Sequence, residues 1–463
     1  MRCIERLVTG AFFAATVVLG QPAAPAGDWL GVLDAGVKLR LALHIGKAAD
    51  GSWQLTWDSP DQGARGLAGK LTIEGETIRL DLRVATYEGT LDKGGAEISG
   101  TFTQGGRTLP LVFKKVDKIP EANRPQHPRR PFPYREEEVT VESAGVKLAG
   151  TLTLPRGEGR FPSLLLLTGS GPQDRDETLF EHKPFLVLAD HFTRRGFAVL
   201  RVDDRGVGKS GGSLATVTME DLAADAVAGV EFLRSRAEVD PGKIGLAGHS
   251  EGGVVAPLAA VKKGEIAFLV LLAPSGVTGE ELLYAQSAEI LKAAGVAEAA
   301  IERQRQFQGL MFQAVKEETD SAAVAKRIRA GIETLKSELS PAEQAALGDL
   351  DKGLDAEVRR LNSPWMRHFL TYDPAPVLRN VRRPVLVLIG ELDRQVPPKQ
   401  NLPAITSALA AGGNADFTVA CLPKLNHLFQ TARTGSPGEY GQIEETFAPA
   451  ALEVIAAWLE RRK

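Results

Sequence analysis

The segment Gly248-His249-Ser250-Glu251-Gly252 constrains the fold of this chain more than any other. The apolar run Ile244-Gly245-Leu246-Ala247 precedes it, and Gly253-Val254-Val255-Ala256-Pro257-Leu258-Ala259-Ala260 follows. That context predicts a buried strand, a very tight turn and then a helix. Small residues on both sides of the serine let strand and helix approach closely, which holds Ser250 on a strained, exposed elbow. An isolated Gly-x-Ser-x-Gly match would mean little; the strand–turn–helix setting is what gives this one weight.

The surrounding pattern is consistent with that elbow. Leu164 to Leu167, Ala198 to Val202, Lys243 to Ala247, Phe268 to Leu272 and Val385 to Ile389 are largely apolar runs with helical intervals between them. Such spacing implies crossover connections and a mainly parallel sheet. In one interval Thr218 is placed to cap a helix whose first turn contains Asp221 and whose inner face carries Leu222, Ala226, Val230 and Leu233. A second stripe, Leu452, Ile455 and Leu459, closes the chain against the sheet. Glu138 to Val141 and Val146 to Leu154 read as an antiparallel opening pair. Residues 277–375 interrupt the rhythm with amphipathic helices, including 282–294 and 322–337, as a lid or a rigid buttress would.

Residues 27–116 have a different character. Val37 to His44, Ser52 to Trp57, Ile78 to Val84 and Thr108 to Phe113 read as short strands, with Pro110 suggesting an edge, and glycine-rich turns lie between them. A small antiparallel sandwich or curled barrel follows, serving either as a binding accessory or as a packed cap. Residues 117–135 hold five prolines (Pro120, Pro125, Pro128, Pro131 and Pro133), which suits a linker or surface strap with Arg124, Arg129 and Arg130 solvated.

At the amino terminus Arg2 and Arg6 precede an apolar stretch, Leu7 to Gly20, that falls short of the about 20 residues a membrane span needs. Ala24-Pro25-Ala26 then offers small residues at a cleavage site, so residues 1–26 read as a secretory signal and the protein as periplasmic or secreted. Its removal leaves Cys421 as the sole cysteine and no intramolecular disulfide to form. The net charge of -3 gives no global attraction to nucleic acid.

Serine is a poor nucleophile near neutral pH and needs a base. Asp393 lies in Gly390-Glu391-Leu392-Asp393-Arg394 after a strand, and His427 lies in Leu425-Asn426-His427-Leu428-Phe429 after another. The order Ser250, Asp393, His427 is the one expected of a strand–elbow–helix hydrolase. His427 would act as general base and Asp393 would orient it. Glu391, two residues from Asp393, competes for that role but lies closer to the strand. For a developing oxyanion, the amide of Glu251 and one from Ser170 or Gly171 are the candidate donors, since Pro172 has none. Gln173 to Asp176 would either rim the pocket or lock this loop through ion pairs. Trp365, Phe369 and Tyr372 are candidate pocket residues near the insertion's return to the sheet. His249 is assigned a packing role. Asp203-Asp204-Arg205-Gly206-Val207-Gly208-Lys209-Ser210 shares its ending with a phosphate loop, but Asp203 stands where the first glycine is required, so it reads as a structural turn. His182 and His191 lack a ligand grouping, and the chemistry needs neither metal nor cofactor.

The elbow, the Gly-Ser-Gly-Pro-Gln-Asp-Arg-Asp loop, the Asp203-Asp204-Arg205-Gly206 turn and the late Asp/His pair together resemble the alpha/beta-hydrolase superfamily. More narrowly, they resemble exported bacterial esterases near the serine aminopeptidase-like, S33-type hydrolases. The resemblance covers residues 136–463 and implies an eight-stranded sheet and a serine–acid–histidine triad at Ser250, Asp393 and His427. It departs at Ser170/Gly171, where many relatives have His-Gly. The implied activity is serine carboxylesterase on small-molecule esters of short or medium acyl length. A serine aminopeptidase or amidase taking short peptides and a noncatalytic binding protein are the other readings.

Overall fold

The computed structural model describes residues 24–35, 38–104, 106–263, 265–337 and 354–463. The expected signal segment lies outside the described residues as far as residue 23, as does the 338–353 part of the expected lid. The chain divides into two compact units between Pro120 and Glu121.

The first unit is a closed eight-stranded antiparallel barrel: β1 (Gly27–Asp34), β2 (Lys38–Lys47), β3 (Trp53–Ser59), β4 (Ala64–Glu74), β5 (Thr77–Asp81), β6 (Thr86–Leu91), β7 (Glu97–Gln104) and β8 (Arg107–Val116). Alternation sends Leu41, Leu43, Ile78, Leu80, Tyr87 and Phe113 into an interior that side chains fill, with Trp29 and Trp57 among them. The strand expected over 78–84 stops at Asp81, because Arg83 takes a left-handed φ of 67° in a turn closed by the Leu82 amide on the Ala85 carbonyl. Pro110 sits in a paired strand, yet beyond Gly31–Phe113, the last β1–β8 pair, so on that side it has no ladder to interrupt.

The second unit holds an eight-stranded sheet in the order β16-β15-β14-β13-β11-β12-β10-β9. Its members are β9 (Arg135–Ser143), β10 (Val146–Leu154), β11 (Phe161–Leu167), β12 (Ala198–Val202), β13 (Val239–His249), β14 (Phe268–Leu272), β15 (Val385–Gly390) and β16 (Phe417–Leu422). The strands from β11 onward run parallel, while β10 is antiparallel to both of its neighbours. A hydrophobic core lies on each face, so the unit is a three-layer α/β/α structure. One core holds the helices Met219–Ser235 and Glu251–Lys262; the other holds Pro184–Arg194 and Pro449–Glu460, with Leu452, Ile455 and Leu459 buried as the stripe predicts. Thr218 and Asp221 form a reciprocal capping box on the Met219–Ser235 helix.

Between β14 and β15 the inserted helices Gly279–Ala293, Glu298–Glu317, Ser321–Ser337, Leu354–Leu361 and Pro364–Thr371 gather round their own small core, which includes Phe312, Ile328 and Met366. The Asp203–Ser210 turn is structural: Arg175 pairs with Asp203, Arg205 with Asp225, and the Ser210 hydroxyl donates to the Asp203 carbonyl. The proline-rich segment corrects one expectation. Arg124 is not solvated but buried, donating to the carbonyls of Ile443 (2.9 Å), Phe180 (2.8 Å) and Gly441 (2.8 Å). Prolines keep this stretch out of regular structure, and a guanidinium with donors in a rigid fork can then satisfy several loop carbonyls together. Arg124→Met should therefore cost about 3 kcal/mol, in the range for lost charged hydrogen bonds in a buried site, read as a lowered denaturant midpoint; an unchanged midpoint would contradict this account.

Candidate active site

The elbow is formed by backbone that only glycine permits. A Cβ on Gly248 would lie 2.0 Å from the Gly252 carbonyl oxygen, and one on Gly252 would lie 2.2 Å from that of Leu167. With those side chains absent, the end of β13, the start of the Glu251–Lys262 helix and the end of β11 close on one another. Ser250 takes φ 52° and ψ -113°, a sparsely populated conformation for a residue with a side chain. Its own amide is engaged, donating to the Leu272 carbonyl at the end of β14 (2.8 Å).

Asp393 and His427 come together from the loops after β15 and β16. Asp393 Oδ2 lies 2.8 Å from His427 Nδ1, while Oδ1 accepts the amides of Gln395 (2.8 Å) and Val396 (2.7 Å). Both residues are buried. A carboxylate can only accept, so Nδ1 carries the hydrogen and Nε2 of the neutral ring keeps its lone pair. Glu391 is turned elsewhere: it accepts the Lys424 amide (3.0 Å) and is exposed. The Ser250 hydroxyl makes no hydrogen bond among the described residues, and the two loops meet through the neighbouring side chain. His249 Nε2 donates to the His427 carbonyl (3.0 Å), and the two imidazole centroids are 4.8 Å apart.

The loop after β11 is locked rather than free at the rim. Arg175 binds Asp203 and Glu138. Asp204 accepts the Thr168 hydroxyl (2.8 Å) and the Gln173 amide (2.9 Å), bracketing the segment between them. The Gly169 amide donates to Glu177 Oε1 (2.6 Å), so it is not available to a ligand. Ser170 and Gly171 then supply the next amides, neither of which has a partner among the described residues. The amide of Glu251 begins its helix, where the first N–H groups have no intrahelical acceptor.

Ser250, Glu251, Ser170, Gly171, Trp365 and Phe369 all line one cavity of about 570 Å³. Its walls are mostly apolar, with Val141, Leu148, Leu165, Leu222, Val254 and Met366 among them. Trp365 and Phe369 stack at 5.0 Å with 8° between their planes. Tyr372 does not belong to this cavity. The Pro364–Thr371 helix ends just before it, and its ring falls in a separate crevice bounded by Gly253, Pro257 and Leu378.

Four acids line the cavity: Asp203 and Asp225 pair with arginines, whereas Asp204 and Glu251 make no ion pair among the described residues. Glu251 is buried and accepts a hydrogen bond from the Trp365 indole N–H. Burial pushes its carboxyl up to about 7, with the charge of Asp204 adding to the effect. Burial likewise pushes Asp204 up to about 7, against the hydrogen bonds it accepts from Gln173 and Thr168. The two arginines that line the cavity are committed elsewhere, Arg205 to Asp225 and Arg360 to Glu357. Glu177 escaped the sequence, which carries no local pattern linking it to an elbow 73 positions on.

A model of the alpha/beta hydrolase family matches residues 164–435. Esterase EstD of Thermotoga maritima is 24% identical to this chain over 386 residues, which is 82% of this chain and 81% of EstD. Among solved structures, the Pyrococcus furiosus esterase Pf2001 shares 16% identity at a TM-score of 0.45, covering 74% of this chain and 99% of Pf2001. Est1E from Butyrivibrio proteoclasticus, solved with ferulic acid bound, also shares 16% identity, at a TM-score of 0.41, covering 70% of this chain and 98% of Est1E.

The Glu251 carboxyl generates a prediction about pH. Folding raises it from an ordinary value of 4.5 to about 7, so between these values the native state holds a proton that the unfolded chain has released. Its stabilising contribution is complete below the unfolded value and is lost as pH rises through about 7. Glutamine keeps an acceptor for Trp365 and has no proton to lose. Glu251→Gln should melt several degrees above the wild type at pH 8 and level with it near pH 5. A difference that does not change with pH would refute the buried-acid account.

Proposed function

We propose that this chain, which belongs to the alpha/beta hydrolase family, is a serine carboxylesterase working through an acyl-enzyme. The observation that carries the reading is the buried Asp393–His427 pair, tied to His249, the residue beside an elbow serine that opens on a largely apolar cavity. The name of EstD, an esterase, favours the same chemistry.

In this reading Ser250 Oγ attacks the ester carbonyl while His427 Nε2 takes its proton. Asp393, held by two amides, keeps the imidazole in the required tautomer and stabilises its protonated form. The Glu251 amide and one from Ser170 or Gly171 receive the developing oxyanion. His427 returns the proton to the departing alcohol, then activates water, and the acyl group leaves as the acid. A cavity of about 570 Å³ with aliphatic and aromatic walls suits short or medium acyl chains. The two arginines ahead of the apolar stretch at 7–20 support a place for the protein outside the cytoplasm, among exported hydrolases of the S33-related kind.

The test compares wild type, Ser250→Ala and Asp393→Asn on p-nitrophenyl esters of increasing acyl length and on amino-acid p-nitroanilides. Ser250→Ala and Asp393→Asn should each lower ester kcat by at least about 1000-fold while the fold is retained. Ester turnover that survives Ser250→Ala would remove the assignment. Serine-dependent cleavage that prefers anilides would make the protein an amidase or aminopeptidase instead.

A further inference from the structure

One buried ionisable pair near the site has no part in the chemistry above. Glu177 is 1% exposed and His249 5% exposed. Glu177 stands at a left-handed φ of 52°, a conformation that costs free energy in a residue with a side chain and is held by its surroundings. Its Oε1 accepts two hydrogen bonds, from the Gly169 amide at 2.6 Å and from His249 Nδ1 at 2.9 Å. His249 Nε2 in turn donates to the carbonyl of His427 at 3.0 Å. Three segments from distant parts of the chain thus meet on one carboxylate and one imidazole: the loop after β11, the elbow, and the loop bearing His427.

We propose that Glu177 and His249 are a positioning pair that sets the oxyanion loop and His427 in register with Ser250. The proposal rests on the serine-hydrolase reading. Fixing the Gly169 amide sets where the next two amides, of Ser170 and Gly171, stand. Gripping the His427 carbonyl sets the backbone from which that imidazole reaches Asp393. Neither member touches the reacting atoms; both act through groups that do.

The proton inventory follows from the partners. A carbonyl oxygen and a carboxylate are both acceptors, so His249 donates from both nitrogens and is an imidazolium beside an ionised Glu177. Burial alone would strip that proton, but the charge and hydrogen bond of Glu177, the His427 carbonyl and the more distant Asp393 outweigh it, and the pKa is raised. The charged groups facing the pair are Asp393 and His427 on one side and Asp204 on the other. Together Glu177 and His249 carry no net charge. That neutrality matters, because the His427 ring, 4.8 Å from His249, must itself become cationic during acylation.

Glu177→Gln separates positioning from mere packing. The amide oxygen still accepts from Gly169, but a buried imidazolium has lost its counter-charge, so His249 becomes a group that gains its second proton only as pH falls. Kinetics on the ester that wild type hydrolyses best should show kcat lowered about 10- to 100-fold with KM within about twofold, the size of effect expected from a small misplacement. The acid limb of kcat/KM should gain one proton in slope over wild type. His249→Phe should lower kcat similarly, and it leaves Glu177 as the buried group without a counter-charge. Glu177→Gln combined with His249→Phe removes both titrating groups, so it should keep the wild-type slope and add little further loss, since the two residues act as a unit. Wild-type kcat in Glu177→Gln, or a loss with an unchanged acid limb, would overturn the proposal; His249→Phe and the double variant decide it if Glu177→Gln does not fold. Ser250→Ala is run alongside: turnover persisting there would mean that the hydrolase reading has failed, whereas an inert Ser250→Ala beside a fully active Glu177→Gln would discard the pair's role alone.

Discussion

Everything at the site depends on how closely three pieces of backbone approach at the elbow. The ends of β11 and β13 and the start of the Glu251–Lys262 helix meet where side chains at 248 and 252 would fall 2.0 and 2.2 Å from carbonyl oxygens. Two glycines make that approach possible, and the positive φ of Ser250 follows from it. An elbow of this kind lifts the serine clear of the sheet and leaves the amide of Glu251 beside it. The central strands bury both faces in hydrophobic cores, which hold the strained turn from two sides. The same close packing has a further consequence. With the elbow fixed by main chain, the remaining parts need only be brought to it, and they arrive on loops at the carboxyl ends of β11, β15 and β16.

Asp393, Glu177, Asp204 and Glu251 stand around this elbow, and their surroundings divide them. Asp393 and Glu177 each face an imidazole and accept backbone amides. Asp204 and Glu251 face hydroxyl, amide or indole donors and make no ion pair among the described residues, and burial carries both up to about 7. Environment rather than residue type thus decides which of these acids is pushed up. An ionised Glu251 beside Ser250 would oppose any negative charge developing there.

How much of this was legible depends on sequence distance. The elbow is local, so the single run from Ile244 to Ala260 displays strand, turn and helix at once. Asp393 and His427 were legible through chain order and their position after strands. The choice between Asp393 and Glu391 was less secure, since both precede the same turn, and only the fold shows Glu391 bonded to the Lys424 amide. Glu177 and His249 were hidden because their partnership spans 72 residues and leaves no periodic trace. Arg124 failed for a related reason. A proline-rich stretch with arginines looks solvated until the carbonyls it ties, more than 300 residues away for two of them, are in view. Tyr372 failed more narrowly: it is one residue past the end of the helix that carries Trp365 and Phe369, and the change of direction there takes it out of the cavity.

The cavity draws its two kinds of wall from different parts of the fold. The sheet and its first helices supply Leu148, Leu165, Leu222 and Val254, which are also part of, or packed against, the main core and cannot change without disturbing it. The insertion supplies Trp365, Met366 and Phe369 from a helix that packs into a separate small core. Substitutions in that second core therefore reach the cavity wall without replacing Gly248 or Gly252, the glycines on which the elbow depends. The join between the two parts is the hydrogen bond from the Trp365 indole to Glu251. It fastens the insertion's side of the cavity to the residue immediately after Ser250.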